Sequence, residues 1–111
     1  MTAEHDIQND IRVALSQHGV VIIRTNTGKV RTKDGRYFNA GPPDGWPDLT
    51  GYVKKTGKMV LVEVKNERGR LRDDQKKLAK LFRQSPVIYG VCRSAEDAVR
   101  LIERDNDGKS N

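Results

Sequence analysis

Cysteine, histidine and aromatic residues are scarce in this chain. Cys92 is the single cysteine, and His5 and His18 are the two histidines, in 111 residues. One cysteine permits no disulfide framework within the chain, and no Cys/His spacing matches a zinc site. The histidines form no metal pair with anything near them in sequence and read as surface or helix-face residues. Long apolar runs are also missing. None approaches the roughly 20 residues that cross a bilayer, and the opening "MTAEHD" lacks the basic and apolar regions of a secretory signal. A reduced, cytoplasmic setting and no membrane partner are the expectations. Acidic residues are outnumbered: 21 Lys and Arg face 15 Asp and Glu, leaving a net charge of +6. That excess favours a polyanionic partner, nucleic acid first and an anionic surface second.

The length suits one domain, with residues 1–104 as its body and 105–111 ("DNDGKSN" and the chain end) as a polar C-terminal tail. Ile7, Ile11, Ala14, Leu15 and His18 fall on one face of a helix over 2–18, with Thr2 as N-cap and Gly19 as terminator. "VVIIRT" (20–25) is β-branched and predicts a strand. Asp34-Gly35 centres a hairpin over 29–39. "AGPPDGWP" (40–47) is loop. Residues 48–54 and 58–65 predict two strands joined at Thr56-Gly57, and 71–84 a helix whose first turn carries Asp73 and Asp74. The apolar run 86–92 predicts a buried strand. Ser94 and Asp97 open a last helix in the manner of a capping box. The resulting order, α-β-hairpin-β-β-α-β-α, is an α/β class with a mixed β-sheet flanked by helices.

The segment "PDLTGYVKKTGKMVLVEVK" (47–65) holds the charges that need explaining. Alternation puts Val60, Val62 and Val64 on one face of the second strand, and Met59, Leu61, Glu63 and Lys65 on the other. Glu63 and Lys65 are then about 7 Å apart on one face. The turn at Thr56-Gly57 brings Asp48 back beside Glu63. Two carboxylates at one sheet end suit a hard divalent cation, with the Val64 carbonyl as a further oxygen. Magnesium, or manganese in its place, is the expected cofactor. Lys65 would orient a water or hold charge on phosphorus. A solvent-facing ion pair would also account for Glu63 and Lys65. Gln75 lies on the apolar stripe of its helix with Leu71, Leu78 and Phe82, and Glu4 lies on that of the first helix. Inward polar groups need partners, and the Glu63 side of the sheet is the expected source for Gln75.

Pro47-Asp48 followed by Glu63-Val64-Lys65 resembles the PD-(D/E)xK nuclease signature. Glu4, Arg24-Thr25-Asn26-Thr27-Gly28, Gly51, Gln75 and Val91-Cys92-Arg93-Ser94 resemble its VRR-NUC branch, over a span from Glu4 to about Ile102. The resemblance implies a restriction endonuclease-like fold and metal-dependent phosphodiester hydrolysis. It implies metal binding by Asp48 and Glu63, catalysis by Lys65, and support from Gln75 and Glu4. Stand-alone members are typically small viral or bacterial proteins, similar to dimeric enzymes that cut branched DNA such as four-way (Holliday) junctions. A homodimer acting on junction DNA in the host cell is therefore expected. Pro43-Asp44 is a second Pro-Asp pair. Asp48 is preferred because a strand follows it, whereas Asp44 is followed by Gly45-Trp46-Pro47. Trp46 is read as packing over the loop, with base stacking as the other use.

Basic residues flank this constellation in sequence: Arg24, Lys29, Arg31, Lys33 and Arg36 before it, and Arg68, Arg70 and Arg72 after it. They are the expected DNA contacts, positioning the substrate rather than reading bases. A linear-duplex or nicking endonuclease of restriction or homing type fits the same residues. A non-catalytic nucleic-acid-binding module fits the basic surface and gives no reason for the carboxylates.

Overall fold

The computed structural model describes residues 2–25 and 29–109. In chain order the elements are α1 (Glu4–Gln17), β1 (Val20–Arg24), β2 (Lys29–Arg31), β3 (Tyr37–Asn39), β4 (Leu49–Val53), β5 (Met59–Val64), α2 (Asp73–Arg83), β6 (Ile88–Cys92) and α3 (Ala95–Lys109). This is the order expected from the sequence. The main sheet runs β1-β4-β5-β6. Its first two pairings are antiparallel and β5-β6 is parallel, so it is a mixed sheet.

Alternation along β5 sorts the two sides of the sheet. Val60, Val62 and Val64 are fully buried and join Ile7, Ile11 and Leu15 of α1 and Ala98 and Ile102 of α3 in one core. Each such burial is worth about 1.5–3 kcal/mol relative to exposure, so β5 is pinned in register. The opposite side, carrying Leu61 and Glu63, meets α2. Phe82 of α2 lies 5.6 Å from the Tyr89 ring of β6 and 5.2 Å from Trp46. β4 approaches β1 closely at Gly51, where a Cβ would stand 1.9 Å from the Val21 carbonyl oxygen.

Several local expectations are corrected. Thr2 does not cap α1: Ala3 holds the N-cap position with no side-chain cap bond, and the Thr2 N–H donates to the Glu67 carboxylate instead. The 29–39 hairpin forms, with Gly35 at φ 84°, but stands apart as a two-stranded ribbon. α2 begins at Asp73 rather than at 71. The buried strand expected over 86–92 is β6 (Ile88–Cys92), at the sheet edge with helices on both faces; Ile88 and Cys92 are buried and the three residues between them half-buried. α3 continues through Asp105 to Lys109, where the sequence suggested a polar tail; Asp105 accepts a 2.7 Å hydrogen bond from Lys58 Nζ. No helix among the described residues is long and apolar enough to cross a membrane.

Candidate active site

The β4-β5 ladder pairs Leu49 with Val62, so the next step places Asp48 opposite Glu63. Asp48 turns its carboxylate onto β5, where Oδ2 accepts the Val64 N–H at 2.8 Å. In an extended strand the N–H and C=O of one residue point to the same side. The Val64 carbonyl therefore faces the side on which Asp48 sits. On the other side of β5, the Lys65 N–H donates to the Cys92 carbonyl at 3.2 Å. Glu63 is 1% exposed and Lys65 is 7% exposed. Burial, a hydrogen bond shared with the Asp48 carboxyl, and the Asp48 charge together push Glu63 up to about 9; Lys65 and Arg72 act against this. A fully solvated ion pair does not describe these residues.

A carboxyl pair that holds a proton when no cation is near is suited to a divalent ion. The donors are hard oxygens from two strands, without sulfur or imidazole, which favours magnesium or manganese over zinc. No group of three or more His, Cys, Asp or Glu side chains gathers among the described residues. The groups that could hold a cation here are two carboxylates and a backbone oxygen, a set that would suit magnesium if water and phosphate completed its shell.

The loop before β4 builds the other wall. Gly45, at φ +89°, lies so close to α2 that a Cβ there would be 2.7 Å from the Asp74 backbone. Trp46 packs edge-on against Phe82 and donates from Nε1 to Thr50 Oγ1 at 3.0 Å. Thr50 in turn shares a 2.8 Å hydrogen bond with Thr25. Trp46 thus packs over the loop, as expected, and fixes Pro47-Asp48 to the sheet. Between loop and helix is a cleft of about 280 Å³ whose walls include Thr25, Asp44, Trp46, Asp48, Arg72 and Gln75. Gln75 is buried, but its partner is not on the Glu63 side: Oε1 accepts the Arg72 backbone N–H at 2.8 Å and so closes the start of α2.

Asp48, Glu63 and Lys65 are brought together, and Val64 sits between them. Asp44 lines the same cleft from its exposed rim. Glu4 opens α1, on the opposite side of the sheet, and does not join Asp48 and Glu63 in an acidic group. Arg24 ends β1 next to Thr25, whose N–H donates to the Asp48 carbonyl at 2.7 Å. Arg68 and Arg70 are exposed on the loop after Lys65. Arg72 pairs with Asp74 at 3.3 Å. On the ribbon, Arg31 lies 5.8 Å over the Tyr37 ring, Arg36 pairs with Asp34 at 3.3 Å, and Lys33 is exposed. The Lys29 side chain and residues 26–28 lie outside the described residues. The sequence gives no sign of the Thr25-Thr50-Trp46 chain or of the bonds that Arg93 makes to the loop after Lys65, because both join segments distant in the chain. Cys92 is buried and its thiol is pushed up to about 12, mainly by burial, so it is not a reactive group at neutral pH.

The VRR-NUC domain family model matches residues 2–96. A solved structure described as a VRR_NUC domain matches with a TM-score of 0.65, covering 93% of this chain and 97% of its own, at 23% identity. At that identity the likeness is one of fold, and it agrees with the mixed sheet and flanking helices described above. No curated protein matches the chain.

Proposed function

The chain belongs to the VRR-NUC domain family, and on that premise we propose a metal-dependent DNA endonuclease of the PD-(D/E)xK type. The carrying observation is that Asp48 and Glu63 meet across the β4-β5 ladder, with Lys65 on the face of Glu63. Asp48, Glu63 and the Val64 carbonyl would hold a magnesium or manganese ion. When bound, the ion supplies positive charge to the phosphate and acidifies a water.

The chain's own residues supply the rest. The Val64 N–H fixes the Asp48 carboxylate. Lys65 is held beside Glu63, where its ammonium can orient the attacking water and offset charge growing on the phosphoryl oxygens. Arg72, at the cleft wall, adds a second positive charge. Gln75 supports the site by holding the α2 start rather than by touching the carboxylates. The exposed basic residues of the ribbon and of the loop after Lys65 would take the DNA backbone.

Branched DNA is the proposed substrate, with four-way junctions cut by a homodimer. One domain carries one site, and symmetric cutting of two strands calls for two copies, most simply by a two-fold axis. A cleavage assay on labelled four-way junction, flap and linear duplex, with magnesium, manganese and calcium, tests this reading. Cleavage of the junction, reduced by about 10²-fold or more in Lys65→Ala, is the expected result. Preference for linear duplex would replace the junction reading with a restriction- or homing-type one. DNA binding that is indifferent to metal, with no cleavage under any cation, would mark a non-catalytic binding module.

A further inference from the structure

We propose, resting on the nuclease reading, that Arg93 is a positioning residue: it clamps the 66–69 loop shut over Lys65 and so holds the ammonium in its working place. Beyond Val64 the chain leaves the sheet and must turn back over its own lysine. Asn66 folds the turn, its Oδ1 accepting the N–H groups of Arg68 at 3.1 Å and Gly69 at 2.9 Å. The turn then lies against Lys65. A Cβ at Gly69 would be 3.1 Å from the Lys65 Cδ and 3.2 Å from its Cβ, so glycine lets the loop close over the lysine stem.

The loop has no apolar anchor of its own: its residues are Asn66, Glu67, Arg68 and Gly69. What fastens it is Arg93, whose Nη1 donates to the Asn66 carbonyl at 2.6 Å and to the Gly69 carbonyl at 2.8 Å. One guanidinium therefore takes a carbonyl from each end of the loop. Arg93 is itself held where α3 begins, its backbone N–H donating to Asp97 Oδ2 at 2.9 Å. The Thr2 N–H adds a tie to Glu67 from the N-terminal side. A lysine stem is flexible, and covering it restricts its rotamers. Misplacing a catalytic group by about 1 Å can cost on the order of 10²-fold in rate.

Arg93→Ala removes the clamp and leaves the backbone bond to Asp97 in place. Arg93→Lys keeps a donor that can reach one carbonyl. Two readouts are needed. The first is the acetylation rate of Lys65 by N-acetoxysuccinimide, read by mass spectrometry on metal-free protein without DNA, with exposed Lys76 and Lys77 as internal references. The second is the split between kcat and KM for DNA cleavage with magnesium and with manganese. In Arg93→Ala, removal of two hydrogen bonds should open the loop and raise Lys65 labelling by about tenfold, while kcat falls by tens of fold and KM moves by less than about twofold. Arg93→Lys should recover part of both. Unchanged Lys65 labelling would overturn the clamp. So would a raised KM at unchanged kcat, which would make Arg93 a DNA-binding residue instead. If the wild-type protein cleaves no DNA with either metal, the nuclease reading falls, and the labelling ratio alone decides whether Arg93 holds the loop.

Discussion

Glu63 shows at the scale of one residue how a site can cost stability. Its carboxyl is held near 9 against an ordinary 4.5, chiefly by burial and then by Asp48. The folded pKa is the higher one, so between the two values the native state binds more protons than the unfolded state. Stability of the metal-free protein is therefore full below about 4.5 and declines as pH rises toward 9. In chelator, the wild-type melting temperature should fall across that window, while Glu63→Gln should fall less and melt higher at its alkaline end. Parallel melting curves for the two proteins would refute the raised pKa. Added magnesium or manganese should stabilise the wild type more at the alkaline end, because binding displaces the proton. Asp44 and Asp48 separate on geometry in the same way. Asp48 is bonded to the Val64 N–H and faces Glu63, whereas Asp44 sits at the cleft rim. Asp48→Asn should lower kcat by about 10²-fold or more and Asp44→Asn by far less; the reverse ranking in single-turnover cleavage would move the ligand to Asp44.

Elements place these residues, and the sequence showed part of how. Strict alternation in "MVLVEVK" was enough to put Glu63 and Lys65 opposite the valines, and Thr56-Gly57 was enough to bring Asp48 alongside. Both are local signals whose period survives in the fold. The partner of Gln75 was not legible, because a side chain on an apolar stripe can turn back to its own helix start as readily as across to a sheet. Nor was the independence of β2-β3: a hairpin motif specifies its own turn and says nothing about which sheet it joins. Arg93 stood out only as part of the Val91-Cys92-Arg93-Ser94 resemblance; its hold on the loop after Lys65 was not legible, since its two carbonyl partners lie 24 and 27 residues away in the chain. Gly51 combines both kinds of information. The sequence marks it only as a position that resembles the VRR-NUC branch, and the structure shows it as the place where β4 and β1 nearly touch. Gly51→Ala would drive a methyl into the Val21 carbonyl and force the strands apart, at a cost of about 3 kcal/mol. Chemical denaturation measures it, and a change within about 0.5 kcal/mol, the ordinary range for surface substitutions, would show that the strands can separate freely.

The whole molecule measures 55 × 32 × 25 Å, and its net charge of +6 is distributed unevenly around the site. Arg68, Arg70 and Arg72 follow β5, while Arg31, Lys33 and Arg36 belong to a ribbon outside the main sheet. The ribbon also shows Tyr37 and Phe38 at 69% and 51% exposure, so little in the isolated chain explains its apolar residues. A two-stranded ribbon is marginal alone in water, and a DNA backbone laid along its basic residues would give it a partner. The two groups of charge should then be separable by experiment. Removing one cation that neutralises a phosphate lowers the slope of log affinity against log salt by about 0.9. Replacing Lys33 and Arg36 together by Gln should therefore make the slope shallower by at most about 2, and by less if Arg36 stays committed to Asp34. The same pair should leave kcat at saturating DNA unchanged, since neither residue reaches Asp48 or Glu63. Arg72→Gln should behave oppositely, because its charge acts on Glu63: the salt slope changes little and the pH dependence of kcat shifts. A ribbon variant with an unaltered slope and a lowered kcat would remove the ribbon from DNA binding and make it a structural part of the site.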